Sequence, residues 1–311
     1  MNISYSVPLS KGWNRMKEIL FHPFDIGKWF TIGFTVFLAD LISGHGGRGG
    51  SSWKDHTRGV DWDAMAEFPN TAWNWLVNHI WWTGVIVFGV LFIFGLIILF
   101  NWLSSRGKFM FLDNVVHNKA EVSRPWHEYR SEGNSLFVWR LIYGLIVFSV
   151  FLLLFLLFFN MFLGIYHAGF PEAATVRTVV GIVMIFLTTI IITKYIELFL
   201  NDFVVPIMYK DRGKAARAWS VFLKLLGKHF WYFLVYGLFV FLLVIMVVLA
   251  VIAFSLMTCC VGAILLIIPY IGSVIMLPVS VTFRAFSVEF LQQFGDEFQI
   301  FPQPRKQKEA S

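Results

Sequence analysis

Residues 230–283 contain not one Asp, Glu, Lys or Arg, and four further apolar blocks precede that stretch. A membrane-spanning helix needs about 20 mostly apolar residues, because the hydrocarbon core is about 30 Å thick and each residue rises about 1.5 Å. A soluble fold spaces its apolar residues at core periodicity, whereas here they are contiguous. Composition agrees: 58% of residues are hydrophobic and 14% charged, against about 25% charged in an ordinary soluble domain. The expected fold class is an all-α integral membrane protein.

Six segments qualify as crossings. They are 29–43, the shortest and the bearer of Asp40, then 81–103, 136–165, 178–200, 230–257 and 259–283. The chain reads as one polytopic domain over 1–311, with an outer loop at 44–79 and a cytoplasmic tail at 296–311. Pro206, Pro269 and Pro278 each remove a backbone donor and bend or break a helix, which makes the sixth segment a candidate to line a site. The opening residues, MNISYSVPLSKGWNRMKEILFHPF, hold no apolar core of the kind a cleaved signal needs. The first membrane helix is therefore expected to act as its own insertion signal.

Orientation follows from the cations, since moving Lys or Arg across the bilayer is the disfavoured event. The N-terminal segment, the stretches 106–140 and 210–228, and the C-terminal end hold 20 of the 25 Lys and Arg residues. Both termini are therefore expected in the cytoplasm, and the localisation is the inner membrane of a bacterial cell. The net charge of +6 reflects loops beside an anionic leaflet, and no nucleic-acid partner is implied. In the outer loop, GHGGRGGSS is followed by Trp73, Trp75, Trp81 and Trp82, whose indoles suit the headgroup layer of an aromatic belt. The two cysteines, Cys259 and Cys260, are adjacent and are read as free thiols.

A threefold repeat is visible at the inner ends. Phe111-Leu112-Asp113-Asn114, Phe199-Leu200-Asn201-Asp202 and Phe290-Leu291-Gln292-Gln293 recur 88 and 91 residues apart, each preceded by a cation: Arg106, Lys194 or Arg284. Trp13, Trp126 and Trp219 lie in basic amphipathic stretches upstream, and YGLIVF from Tyr143 echoes YGLFVF from Tyr236. The unit is an interfacial helix, an outward helix, an outer turn and an inward helix, over about 8–116, 120–208 and 214–295.

The sequence carries no zinc-protease, serine-hydrolase or phosphate-loop motif and no Cys and His cluster at metal spacing, so no catalytic residue, metal or cofactor is expected. His45, His56 and His79 share the outer loop with Asp55, Asp61 and Asp63, but without fixed spacing. Lys194 and Glu197 sit three apart and are expected to pair within the membrane. The candidate ligand site is a cationic ring of Arg106, Lys194 and Arg284, backed by Asp113, Asn114, Asn201, Asp202, Gln292 and Gln293. Such groups at headgroup depth suit a phosphate-bearing lipid; ordinary interface anchoring is the plainer account of the same cations.

The stretches RGKFMFLDNVVHNKAEVSRPWHEYRSEGNSLF, NDFVVPIMY followed by AWSVF, and IPYIGSVIMLPVSVTFRAFSVEFLQQFG resemble an uncharacterised family of stand-alone bacterial membrane proteins. That family is distantly similar to the membrane domain fused to some glycerophosphodiester phosphodiesterases. The resemblance implies six helices and an association with phospholipid, and it carries over no catalytic residue, since the phosphodiesterase barrel is absent. The expected function is a non-enzymatic inner-membrane protein that binds or handles anionic phospholipid at the cytoplasmic leaflet. The alternative is a scaffold or accessory subunit, with a protein partner met through the cytoplasmic segments; a small-molecule transporter ranks third.

Overall fold

The computed structural model of the protein describes residues 3–42, 62–167, 172–258 and 261–302. The glycine run of the outer loop, His45, Asp55, His56 and Asp61, the Cys259–Cys260 pair and the tail beyond residue 302 lie outside the described residues, as does the side chain of Asp63. Among the described residues every regular element is helical. In chain order these are α1 (Ser6–Phe21), α2 (Ile26–Asp40), α3 (Trp62–Asn78), α4 (Ile80–His117), α5 (Ser123–Glu128), α6 (Arg130–His167) and α7 (Glu172–Phe199). A π-turn (Leu200–Val204) leads into α8 (Val205–Asp211), then α9 (Ala215–Met257), α10 (Val261–Ile267), α11 (Ile271–Ile275) and α12 (Leu277–Gln292).

Four helical stretches are long and apolar enough to cross a membrane: Ile80–His117, Arg130–Met161, Arg177–Asp211 and Ala215–Met257. The chain is a membrane protein on that ground. Of the six expected crossings, the other two are shorter pieces. The helix α2 has 15 residues, about 22 Å of rise against a core of about 30 Å. The segment 259–283 is interrupted by its prolines: Pro269 has no N–H to continue α10, Tyr270 turns the chain at φ 71°, and Pro278 sits in the first turn of α12. A hydropathy count sums apolar residues without asking whether one unbroken helix carries them.

Contacts divide the chain into two units, 1–48 with 101–140 and 194–311, and 49–100 with 141–193. The first unit holds the core. Phe203, on the π-turn, lies 4.9 Å from Phe233, 4.8 Å from Tyr236 and 5.3 Å from Phe222, ring centre to ring centre, and Phe286 and Phe290 extend the cluster. Along α4 every residue in 104–116 is buried, so the end of this helix is enclosed on all faces.

The helix α1 packs along α12, where a Cβ added to Gly12 would sit 3.0 Å from the Phe286 amide nitrogen and 3.1 Å from the Thr282 carbonyl oxygen. Arg15 pairs with Glu289 at 3.2 Å on the same contact. The α1–α2 corner is fixed by Asp25, whose side chain caps α2 through the Gly27 amide, and by the Trp29 indole, which donates to the Leu20 carbonyl at 2.8 Å. Tyr270, in its left-handed conformation, donates to the Phe30 carbonyl at 3.0 Å and touches the rings of Phe30, Phe34 and Phe37, which hold it there. The helix α9 bends at His229 (φ −133°, ψ 34°), separating an amphipathic start from the apolar run 230–257.

The second unit is different in kind. Its apolar side chains point outward on most faces, from Val85 to Phe100 on α4, Leu145 to Leu157 on α6 and Val179 to Ile192 on α7. A soluble protein would not leave that much apolar surface uncovered, whereas lipid favours it. Within the unit, Phe151 meets Phe186 edge-on at 5.2 Å, and the Tyr143 hydroxyl donates to the Thr193 carbonyl at 3.1 Å. Trp73, Trp75, Trp81 and Trp82 are all exposed.

Gly107 fixes the approach of α2 to α4. A Cβ there would lie 2.6 Å from the Ala39 nitrogen and 2.7 Å from the Leu38 carbonyl carbon, both backbone atoms that have no rotamer to give. Gly107→Ala is expected to destabilise the fold by about 1–3 kcal/mol, read as a lower thermal midpoint in detergent, while Gly144→Ala, whose Cβ meets nothing within 4 Å, leaves it unchanged.

Candidate functional site

The cations and amides singled out in the sequence fall into separate settings, all within the first unit. Arg106 is 7% exposed and its guanidinium lies 4.4 Å from the Trp102 ring and 4.8 Å from the Trp126 ring. Its Nη2 donates to Asn134 Oδ1 at 3.0 Å, and its Nε is buried without a partner. Lys194 is exposed and pairs with Glu197 at 3.1 Å. Arg284 donates from Nη1 to the main-chain carbonyl of Asn201 at 2.7 Å, with its Nε also buried and unpartnered. The three do not bond to a common group.

The Arg284 contact has a local cause. Pro206 has no N–H, and the backbone answers with a π-turn in which the Val205 amide bonds to Leu200 O. Asn201 O thus gives up its ordinary partner, Val205, and the next amide in π register belongs to Pro206. The Arg284 guanidinium supplies the missing donor. Asn201 also accepts from the Lys108 ammonium through its side-chain oxygen. One residue therefore gathers cations from α4 and α12.

A third cation joins from α6. Arg140 donates from Nη1 to Ser104 Oγ at 3.1 Å and Ser105 Oγ at 3.4 Å, and Ser104 in turn donates to the Ala39 carbonyl at 2.6 Å. Lys108 interacts electrostatically with Arg140, Arg284, Asp40 and Glu197. The cluster is thus Lys108, Arg140 and Arg284 around Asn201, Ser104 and Ser105, with Asp40 and Glu197 at longer range. Among the described residues Arg106, Arg140 and Arg284 form no ion pair with a carboxylate within 4.0 Å. Lys108 and Arg140 were not singled out by the sequence, where they count only as inner-side cations. The available signal was Arg140 inside the apolar run LFVWRLIYG, where an arginine needs a reason.

The remaining residues are bonded elsewhere. Asp113 is fully buried, accepting from Arg124 Nη2 at 2.6 Å and from the hydroxyls of Tyr129 and Tyr209 at 3.1 and 2.9 Å, with His117 Nδ1 at 3.0 Å. Its four neighbours come from α4 itself, α5, the α5–α6 junction and α8, so this carboxylate fastens those elements together. The Asn114 side-chain oxygen accepts from the Glu121 amide at 3.0 Å, and Asp202 accepts from the Tyr236 hydroxyl at 2.9 Å. With its amide turned to satisfy both ends, Gln292 accepts from the Ile300 and Phe301 amides. Gln293 exchanges two hydrogen bonds with the Ser4 backbone, at 3.0 and 2.9 Å. No group of His, Cys, Asp and Glu among the described residues is arranged to hold a metal ion.

Burial pushes the Tyr129 phenol up to about 12. An unfolded tyrosine loses its proton near 10, so the stability Tyr129 contributes is intact below about pH 10 and is lost as pH rises toward 12. A tyrosinate absorbance titration of the folded protein should show one phenol titrating near pH 12 that disappears in Tyr129→Phe; an unchanged curve would contradict this placement.

No curated protein matches the chain, and no solved structure does. One family model matches residues 8–301, nearly the whole length, and the chain belongs to that family, a family of unknown function (DUF7544).

Proposed function

We propose that this protein is a polytopic inner-membrane protein that binds a phosphate-bearing lipid headgroup through Lys108, Arg140 and Arg284, with Arg106 and Lys194 as flanking cations. One observation carries the reading: the arginines are half-buried or buried, yet they bond only to hydroxyl, amide and carbonyl oxygens. A guanidinium placed near lipid with no carboxylate within ion-pair distance is costly, and an anion bound to Arg140 and Arg284 would lower that cost. Guanidinium groups are suited to phosphate because their paired N–H donors match its oxygens. The cluster lies where α4 and α6 pass from outward apolar runs to polar ends, which supports a position at headgroup depth. The cation asymmetry of the sequence supports a cytoplasmic position for that side and for both termini. The protein acts by binding and not by catalysis, and the three related hairpins bring their differently bonded inner ends to that leaflet.

A second reading, a scaffold or accessory subunit, draws on the outward apolar faces of the second unit, where the most hydrophobic windows of α4, α6 and α7 have no buried residue. Photocrosslinkers at Phe92 and Leu153 in native membranes should then capture one protein; capture of lipid alone counts against it.

The headgroup reading is tested by native mass spectrometry of the full-length protein released from detergent. Arg140→Gln should lower co-purified anionic phospholipid on the order of tenfold, the equivalent of one charge-assisted contact. Lipid occupancy equal to the wild type would overturn the reading.

A further inference from the structure

The three basic amphipathic stretches dispose of their charge differently. In α1, Lys11 and Arg15 pair with Glu289, and in α5 Arg124 pairs with Asp113, Glu121 and Glu128. The start of α9 has no such partners. Among the described residues Lys214, Arg217, Lys224 and Lys228 form no ion pair within 4.0 Å, and all four are exposed. No Asp or Glu occurs in the chain between Asp211 and Glu289.

Helical spacing gathers these cations. At about 100° per residue, Arg217, Lys224 and Lys228 fall within about 40° of one another and form a stripe about 16 Å long, while Ala215, Ala218, Phe222 and Leu225 turn into the core. Two acids approach from outside the helix: Asp211 and Glu297 line, with Val221 and Lys210, a cavity of about 170 Å³. Neither reaches the four cations to pair with them, and the face stays net positive. Where the stripe ends the helix bends at His229, and Phe230 and Trp231, both exposed, open the uncharged run 230–257.

We propose that this face is a docking surface for an anionic bilayer, with the start of α9 lying along the leaflet at which the run 230–257 begins and Arg217, Lys224 and Lys228 on lipid phosphates. Charge alone would suit an acidic protein equally. The stripe, however, leads directly into an exposed aromatic pair and a helix long and apolar enough to cross a membrane, so the surface beside it is lipid. The bend at His229 is what lets the amphipathic part leave the axis of the crossing. This contact stands apart from the Lys108, Arg140 and Arg284 cluster. Exposed ammoniums on long stems set no fixed geometry, so the face reads charge density and not a particular headgroup, and salt screens it.

The test places the full-length protein in nanodiscs of phosphatidylcholine with or without phosphatidylglycerol, acylates its lysines with a water-soluble active ester and locates the products by mass spectrometry. Lys224 and Lys228 should react on the order of fivefold more slowly in the anionic discs, while Lys119, which Glu121 already holds, reacts equally in both. In about 1 M salt, where the screening length is about 3 Å, the difference should vanish. Arg217→Gln, an exposed change, should weaken the protection of both lysines. Equal rates in the two discs, slowing shared by Lys119, or slowing that survives salt overturns the proposal. Protection in native membranes without protection in anionic discs assigns the face to a protein and overturns it as well.

Discussion

The enclosed end of α4 sets the terms for the rest of the first unit. Every residue in 104–116 is buried, and this stretch includes Ser104, Ser105, Arg106, Lys108, Asp113 and Asn114. A helix that is apolar all round can be wrapped by anything greasy. One that is enclosed and carries two cations, an acid and an amide can be wrapped only by elements bringing partners at the right heights. Those partners identify the wrapping elements: Asn134 and Arg140 from α6, Asn201 from the π-turn, Tyr209 from α8 and Arg124 from α5. The polar contacts thereby specify register, while the aromatic cluster around Phe203 and the aliphatic side chains packed with it supply the apolar burial.

The membrane class, the positions of the long helices and the boundary before Phe230 were legible because they rest on local composition. An uncharged run long enough to cross the bilayer announces itself residue by residue. The number of long crossings was less legible. The runs 29–43 and 259–283 pass a hydropathy test, yet α2 ends at Asp40 and Pro269 and Pro278 divide the last segment. The prolines were visible; what the chain does after each was not, because that depends on neighbours such as the three phenylalanines beside Tyr270.

The candidate site divided along the same line. Arg284 and Asn201 each stand out in the sequence, and they do meet, but through a carbonyl that the π-turn frees and that no residue type advertises. Asp113 stood out as one of a row of repeated inner-end polar residues and proves to be fully buried, fastened to two tyrosines and an arginine that are distant in the chain or unremarkable in type. Arg140 and Lys108 were hidden by the counting that fixed orientation, which treats each inner cation alike and takes no account of which way it faces.

The π-turn also fixes an angular phase. It accommodates one residue more than an α-turn would, so everything after it is rotated by about 100° relative to an uninterrupted helix. Tyr209 reaches Asp113 only in the rotated setting, and Arg284 reaches Asn201 O only because the turn is there. The cation cluster and the Asp113 hub share no side chain, yet both are indexed by the single surplus residue between Leu200 and Val204. A one-residue deletion there would preserve hydropathy, length and charge to within a trace and still put both clusters out of step.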